Sequence, residues 1–284
     1  MCALRISAIS YLNTAPLMWD FQHGSASSDF EISYTIPSAC ADALARGTAD
    51  IGIIPSIVFA TVPDLLIIPD AAIASKRAVR SILLLCREPL ERVSTVAADI
   101  SSRTSVVLTQ VLMRKFFPAQ SHGRSREFIP MPPNPELMLR RCDAALLIGD
   151  PALQADREQY LTYDLAEQWV QFTGKPFVFA FWAIRMAALS QAHPKLEMDA
   201  VFSRSRDHGL EPANVSLLAR EWAPRLGLPQ EEITSYLTHN IHYYLDRENV
   251  EGLNLFYRYA AECGLIAAPP TIRFIGSAAF RMYG

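Results

Sequence analysis

The sequence predicts an α/β chain in two lobes. Three observations carry the prediction. Short apolar runs alternate with helical stretches, at spacings that suit parallel β-α-β units with helices on both sheet faces. The alternation closes and then restarts near residue 93 as a second set. After an apolar run at 177–184, the rest of the chain is helical in period and punctuated by Pro194, Pro212, Pro224 and Pro229. With 284 residues, half of them hydrophobic and only 19% charged, the chain can bury a sizeable core and is not disordered.

In order, Leu4 to Ile9 reads as a strand, and Ala15 to Phe21 as a short helix with Pro16 in its first turn. Phe30 to Ile36 is the next strand. Ser38 is the expected N-cap of a helix that runs to Arg46 and stops at Gly47. Strands follow at 50–54, 65–68 and 79–85. The second set has a strand at 93–97, a helix at 104–116, a short strand at 128–129, a helix at 135–141 and a strand at 143–148. Asp150, followed by Pro151, is placed to cap the next helix. Loops are expected at 118–123 and 130–135. A chain that leaves the first set near Ser81 and returns near Phe181 makes the second lobe an insertion. The expected division is 1–82 with 180–284 for lobe one and 83–179 for lobe two. That is the layout of the type II periplasmic-binding-protein fold, with a ligand cleft between the lobes.

Several function classes fall away. The net charge is −3 with no basic stripe, so nucleic acid is not an expected partner. The uncharged run 51–63 is shorter than the roughly 20 residues a membrane span needs and holds two prolines. The N-terminus has no signal-peptide pattern, which predicts a cytoplasmic protein. Five scattered cysteines (Cys2, Cys40, Cys86, Cys142, Cys263) with no Cys-x-x-Cys pair argue against a disulfide framework or a Cys-rich zinc site. There is no Gly-x-Gly-x-x-Gly, and Gly174-Lys175-Pro176 lacks the rest of a P-loop. His239, His242 and Asp246 have helical spacing but no distant third ligand, so no metal is expected and the histidines read as helix-interface residues.

The remaining polar clusters lie in loops after strands, where open α/β sheets bind ligands. Asn13 sits in Ser10-Tyr11-Leu12-Asn13-Thr14-Ala15-Pro16-Leu17; on local grounds it caps the following helix. Ser101-Ser102-Arg103-Thr104-Ser105 precedes an apolar helix. Hydroxyls and free N–H groups at a helix start suit a carboxylate or phosphate, and one cap does not need four hydroxyls. Ile54-Pro55-Ser56 ends the third strand in a similar place. Ser81 opens a strand predicted to cross between lobes, facing either cleft or core. No Gly-x-Ser-x-Gly elbow supports a nucleophile triad.

Taken together, these segments resemble the chorismate dehydratases of the futalosine menaquinone pathway. The matching stretches are Ser-Tyr-Leu-Asn-x-x-Pro-Leu at 10–17, Ala43-Leu44-x-x-Gly47-x-x-Asp50-Ile51-Gly52-Ile53-Ile54-Pro55-Ser56, and Ser101 to Val106. Leu146 to Asp150 and the run from Trp169 to Ala183 match as well. The resemblance covers about residues 4–185; the helical tail agrees only in character. A sister enzyme, a dihydroxynaphthoate synthase, shares the fold but opens with a different signature and relies on a histidine.

The resemblance implies dehydration of chorismate to 3-[(1-carboxyvinyl)oxy]benzoate, without metal or organic cofactor. It implies that Asn13 and Ser81 hold the substrate's enolpyruvyl carboxylate, which itself serves as the base. The matched loops bring Tyr11, Ser56, Ser102, Arg103, Thr104, Ser105, Gly149 and Asp150 to the substrate. His23 is the rival base, and Asp150 reads better as a cap. The competing class is a non-catalytic carboxylate-binding protein or sensor on the same fold.

Overall fold

The computed structural model describes residues 3–24, 30–117, 126–189 and 197–276. Among them, ten strands form two five-stranded sheets. The first half of the chain contributes β1 (Leu4–Ile9), β2 (Phe30–Thr35), β3 (Ile51–Pro55) and β4 (Leu65–Ser75). The next segment holds β5 (Ile82–Cys86), β6 (Thr95–Asp99), β7 (Glu127–Met131), β8 (Ala144–Ile148) and β9 (Leu161–Asp164), and β10 is Phe177–Arg185. Sheet one runs β2-β1-β3-β10-β4 and sheet two β7-β6-β8-β5-β9. β1 pairs in parallel with β2 and β3, while β10 runs antiparallel between β3 and β4. In sheet two, β6 is parallel to β7 and β8, and β5 is antiparallel to β8 and β9. β3, β5 and β8 are buried along their whole lengths, as their unbroken apolar runs require.

The chain passes from sheet one to sheet two between Ser75 and Ile82, and returns between Thr173 and Phe177. The expected return at 180 falls inside β10, whose first residues already pair with β4 (Phe177 with Ser75, Val178 with Ala74). β4 extends well past the expected 68, through Asp70 at φ +65°, because β10 supplies partners for its far half. Strand β9 and the helix at Leu165–Thr173, α6 in chain order, were not expected. Asp164 caps α6, accepting from the Ala166 and Glu167 N–H groups.

Helices α1 (Trp19–His23) and α2 (Pro37–Arg46) flank sheet one; α3 (Thr104–Lys115), α4 (Pro135–Arg141), α5 (Gly149–Leu153) and α6 belong to the sheet-two segment. α2 starts with Pro37 at its first position after Ile36, so Ser38 is not its cap. The Ser38 N–H instead donates to the Ser101 carbonyl at 3.1 Å, linking the two segments. After the four-residue α7 (Met186–Leu189) come α8 (Met198–Gly209), α9 (Pro212–Leu226), α10 (Gln230–Ser235), a π-helical turn (Tyr236–Asn240) and α11 (Arg247–Glu262). This helical region packs on sheet one: α8 against the loop after β1, α11 against β10. His242 lies beyond the helix end, in an extended bridge to Ala74, and pairs with Asp246 at 3.0 Å; His239 lies instead beside Thr238. The expected 118–123 loop and Pro194 lie outside the described residues.

Candidate active site

The loops after β1, β6 and β8 meet in a narrow cavity of about 50 Å³ between the sheets. Tyr11, Asn13, Ser102, Arg103, Thr104, Ser105 and Gly149 line it, with Phe179 and Ala180 from the returning strand. Among the described residues, its lining holds no histidine, cysteine, aspartate or glutamate.

One wall comes from the loop after β1. Leu12–Met18 is a 3₁₀ helix, tighter than the expected α-helix, and Asn13 does not cap it. Asn13 is 8% exposed and its Oδ1 accepts from the Thr14 hydroxyl at 3.3 Å. The loop is fixed from behind. Ser205 donates its hydroxyl to the Leu17 carbonyl (2.9 Å) and accepts from the Asp20 N–H (3.0 Å). Gly209 presses against Pro16 so closely that a Cβ there would lie 2.0 Å from the Pro16 oxygen.

Asp150 reaches the same loop from sheet two. Its Oδ1 accepts from the Leu12 N–H at 3.0 Å, and it is Ile148, without a side-chain bond, that precedes the helix. Asp150 is therefore a tie between the two segments and not the expected cap. Burial pushes its carboxyl up to about 6, against the Leu12 hydrogen bond that pulls it down. Gly149 stands at φ +62°, and a Cβ there would meet the Tyr11 ring at 2.4 Å. Both conditions require glycine. Its N–H donates to the Ser81 carbonyl at 2.8 Å.

Tyr11 donates its hydroxyl to Ser101 Oγ (3.2 Å), which donates to Asp99 Oδ1 (2.6 Å). Asp99 also accepts from the Ser101 and Ile148 N–H groups, at 2.9 and 3.3 Å. Burial raises the pKa values of both Asp99 and Tyr11. Asp99 was missed in the sequence, although an aspartate two residues before a serine is a turn signal.

The opposite wall is the start of α3. Its cluster of hydroxyls divides into two roles. Ser101 belongs to the Tyr11–Asp99 chain, and Thr104 Oγ1 accepts from the Ile57 N–H at 3.2 Å. The Ser102 and Ser105 hydroxyls line the cavity and have no hydrogen-bond partner among the described residues. The first N–H groups of α3 lack intrahelical acceptors, as at every helix start. The Arg103 guanidinium is held at the rim by Asp42, 2.6 Å away. Together these make a donor-rich pocket for an anion.

Two expected residues lie just behind the cavity. Ser56 donates to the Val178 carbonyl at 2.8 Å and so ties β3 to β10 in place of touching a ligand. Ser81 is fully buried, and its Oγ accepts from the Tyr236 hydroxyl at 2.8 Å. Burial raises the Tyr236 pKa, against the hydrogen bond it donates to Ser81. Tyr236 is 155 residues from Ser81 in sequence, so no local signal could have found it. His23 is not at the site: it is exposed, stacked on Trp19 with ring centres 4.2 Å apart.

The family model described as menaquinone biosynthesis matches residues 4–262. The chorismate dehydratase of Thermus thermophilus is 27% identical over 277 residues, covering 91% of this chain and 94% of its own. The fold is that of periplasmic ligand-binding proteins. The aliphatic sulphonate binding protein SsuA of Escherichia coli superposes with a TM-score of 0.62 at 17% identity, covering 94% of each chain. Protein AF1704 of Archaeoglobus fulgidus gives 0.68 at 14% identity, covering 93% of this chain and 98% of its own. No helix among the described residues is long and apolar enough to cross a membrane.

Proposed function

The chain belongs to the menaquinone-biosynthesis family, and from that premise we propose that it dehydrates chorismate to 3-[(1-carboxyvinyl)oxy]benzoate and water. The observation that carries this reading is a cavity with donors on two walls and, among the described residues, no histidine, cysteine, aspartate or glutamate in its lining. The substrate is a dicarboxylate. Asn13, with Ser81 behind it, takes the enolpyruvyl carboxylate; Ser102, Ser105 and the α3 amides take the ring carboxylate. The sheets form the cores of two lobes, divided near 81 and 176, that close on the ligand.

The chemistry needs little beyond this. The C–H bond beside the enolpyruvyl ether breaks, its proton goes to the enolpyruvyl carboxylate, and the electron pair delocalises onto the ring carboxylate. The hydroxyl on the next carbon then leaves as water, taking up a proton, and the ring becomes aromatic. Negative charge grows on the ring carboxylate during the first step, so donors at the α3 start stabilise that step. Holding the enolpyruvyl carboxylate beside the C–H bond supplies proximity. No protein base is required, and His23 is remote from the cavity. Such a biosynthetic lyase works in the cytoplasm, where chorismate is made.

Incubation with chorismate tests the reading directly. The expected outcome is a rise in aromatic absorbance and a product lighter by one water by mass. Chorismate recovered intact, but raising the melting temperature, would instead mark a non-catalytic carboxylate-binding protein.

A further inference from the structure

Tyr236 sits at the point where the helical region touches Ser81, one of the two residues assigned to the substrate's carboxylate. It is 2% exposed. Its hydroxyl donates to Ser81 Oγ at 2.8 Å. The single phenolic proton is given to Ser81, so the Ser81 hydroxyl must aim its own proton elsewhere. Asn13 is held separately, by the Thr14 hydroxyl on its Oδ1.

We propose that Tyr236 is a positioning residue that sets Ser81 as a donor toward the bound carboxylate. Without it, the Ser81 hydroxyl rotates freely and can present a lone pair to an anion. The inference rests on the reading of Asn13 and Ser81 given above.

The backbone around Tyr236 agrees with this role. Tyr236 opens a π-helical turn, closed by the Ile241 N–H on the Tyr236 carbonyl at 3.3 Å. Such turns shift side chains out of α-helical register and recur at functional sites. Asn240, at the end of the turn, donates its side-chain N–H to the Ala78 carbonyl at 2.9 Å. Ala78 lies on the crossover that leads into Ser81, so one turn fixes both the phenol and the backbone approach to its acceptor.

The test is a double-mutant cycle on chorismate turnover with wild type, Ser81→Ala, Tyr236→Phe and the double variant. Tyr236→Phe removes one oxygen and keeps the buried ring. We expect kcat to fall tenfold or more with KM changed less than threefold, and the double variant to be no slower than Ser81→Ala alone. Asn240→Ala, on the half-buried side of the same turn, should give a smaller loss in kcat that disappears in the Tyr236→Phe background. Undiminished kcat in Tyr236→Phe, or losses that multiply in the double variant, would overturn the role. Wild-type protein that leaves chorismate intact defeats the reaction assignment instead, so the two failures are distinguishable.

Discussion

Asn13 has no useful pKa, so any part it takes in turnover is through the hydrogen bonds it donates. Asn13→Ala should lower kcat by roughly 10²–10³-fold, the scale for one preorganised donor, with little change in the melting temperature. Asn13→Asp should also be poor, because a fixed charge would repel the carboxylate it is meant to hold. The hydroxyls at the start of α3 make a sharper contrast. Ser105→Val removes a hydroxyl that faces the cavity without a protein partner, so KM should rise while thermal stability holds. Thr104→Val leaves the buried Ile57 N–H without its acceptor and should cost about 1–3 kcal/mol of stability. Steady-state kinetics and melts on both variants separate the two roles. The sequence displayed this run of hydroxyls as an anion site, but not which of them were free. That depends on Ile57, Tyr11 and Asp99, contacts that only the fold creates.

At the scale of elements, the loop after β1 is held by α8, a helix that follows it by some two hundred residues. Gly209→Ala would drive a methyl into the Pro16 oxygen and displace the Asn13 loop. Both the melting temperature and kcat should fall, and crystallography or amide exchange across 11–18 should show the loop moved or loosened. Strands with unbroken apolar runs, such as 51–55 and 82–86, and helices with clear stops, such as α2 at Gly47, were legible in the sequence. The far half of β4 was not, because Asp70 takes a left-handed backbone that reads as a break. β9 is a four-residue strand with one buried residue, too short for alternation to show. The π-helical turn was invisible too, and no local spacing marks the bond of its Tyr236 to Ser81, 155 residues away.

For the whole molecule, the question is what keeps the two halves together. Bonds that cross between them include Leu12 to Asp150, Tyr11 to Ser101, Ser38 to Ser101 and Asp42 to Arg103. At about 50 Å³ the cavity holds a few water molecules, less than a dicarboxylate ring occupies, so on the proposed function the cavity must widen to admit the substrate. Asp150 makes this balance depend on pH. Its carboxyl, raised to about 6 in the folded protein, takes a proton more readily there than in the unfolded chain, where about 4 is usual. Its favourable contribution is therefore complete below about pH 4 and is lost as pH rises through 6. Asp150→Asn keeps an acceptor for Leu12 and removes the charge. Thermal melts should show the variant gaining on wild type at pH 8, with the gap closing toward pH 4. The position of β10 has a consequence of a different kind, for the time course of synthesis. It is the inner strand that joins β3 to β4, yet it leaves the ribosome after all of β5 to β9. Sheet two is contiguous in the chain and can be complete while sheet one still lacks its inner strand. The nascent protein thus carries its second-made half finished and its first-made half waiting, with two unpaired strand edges exposed until residue 185 emerges.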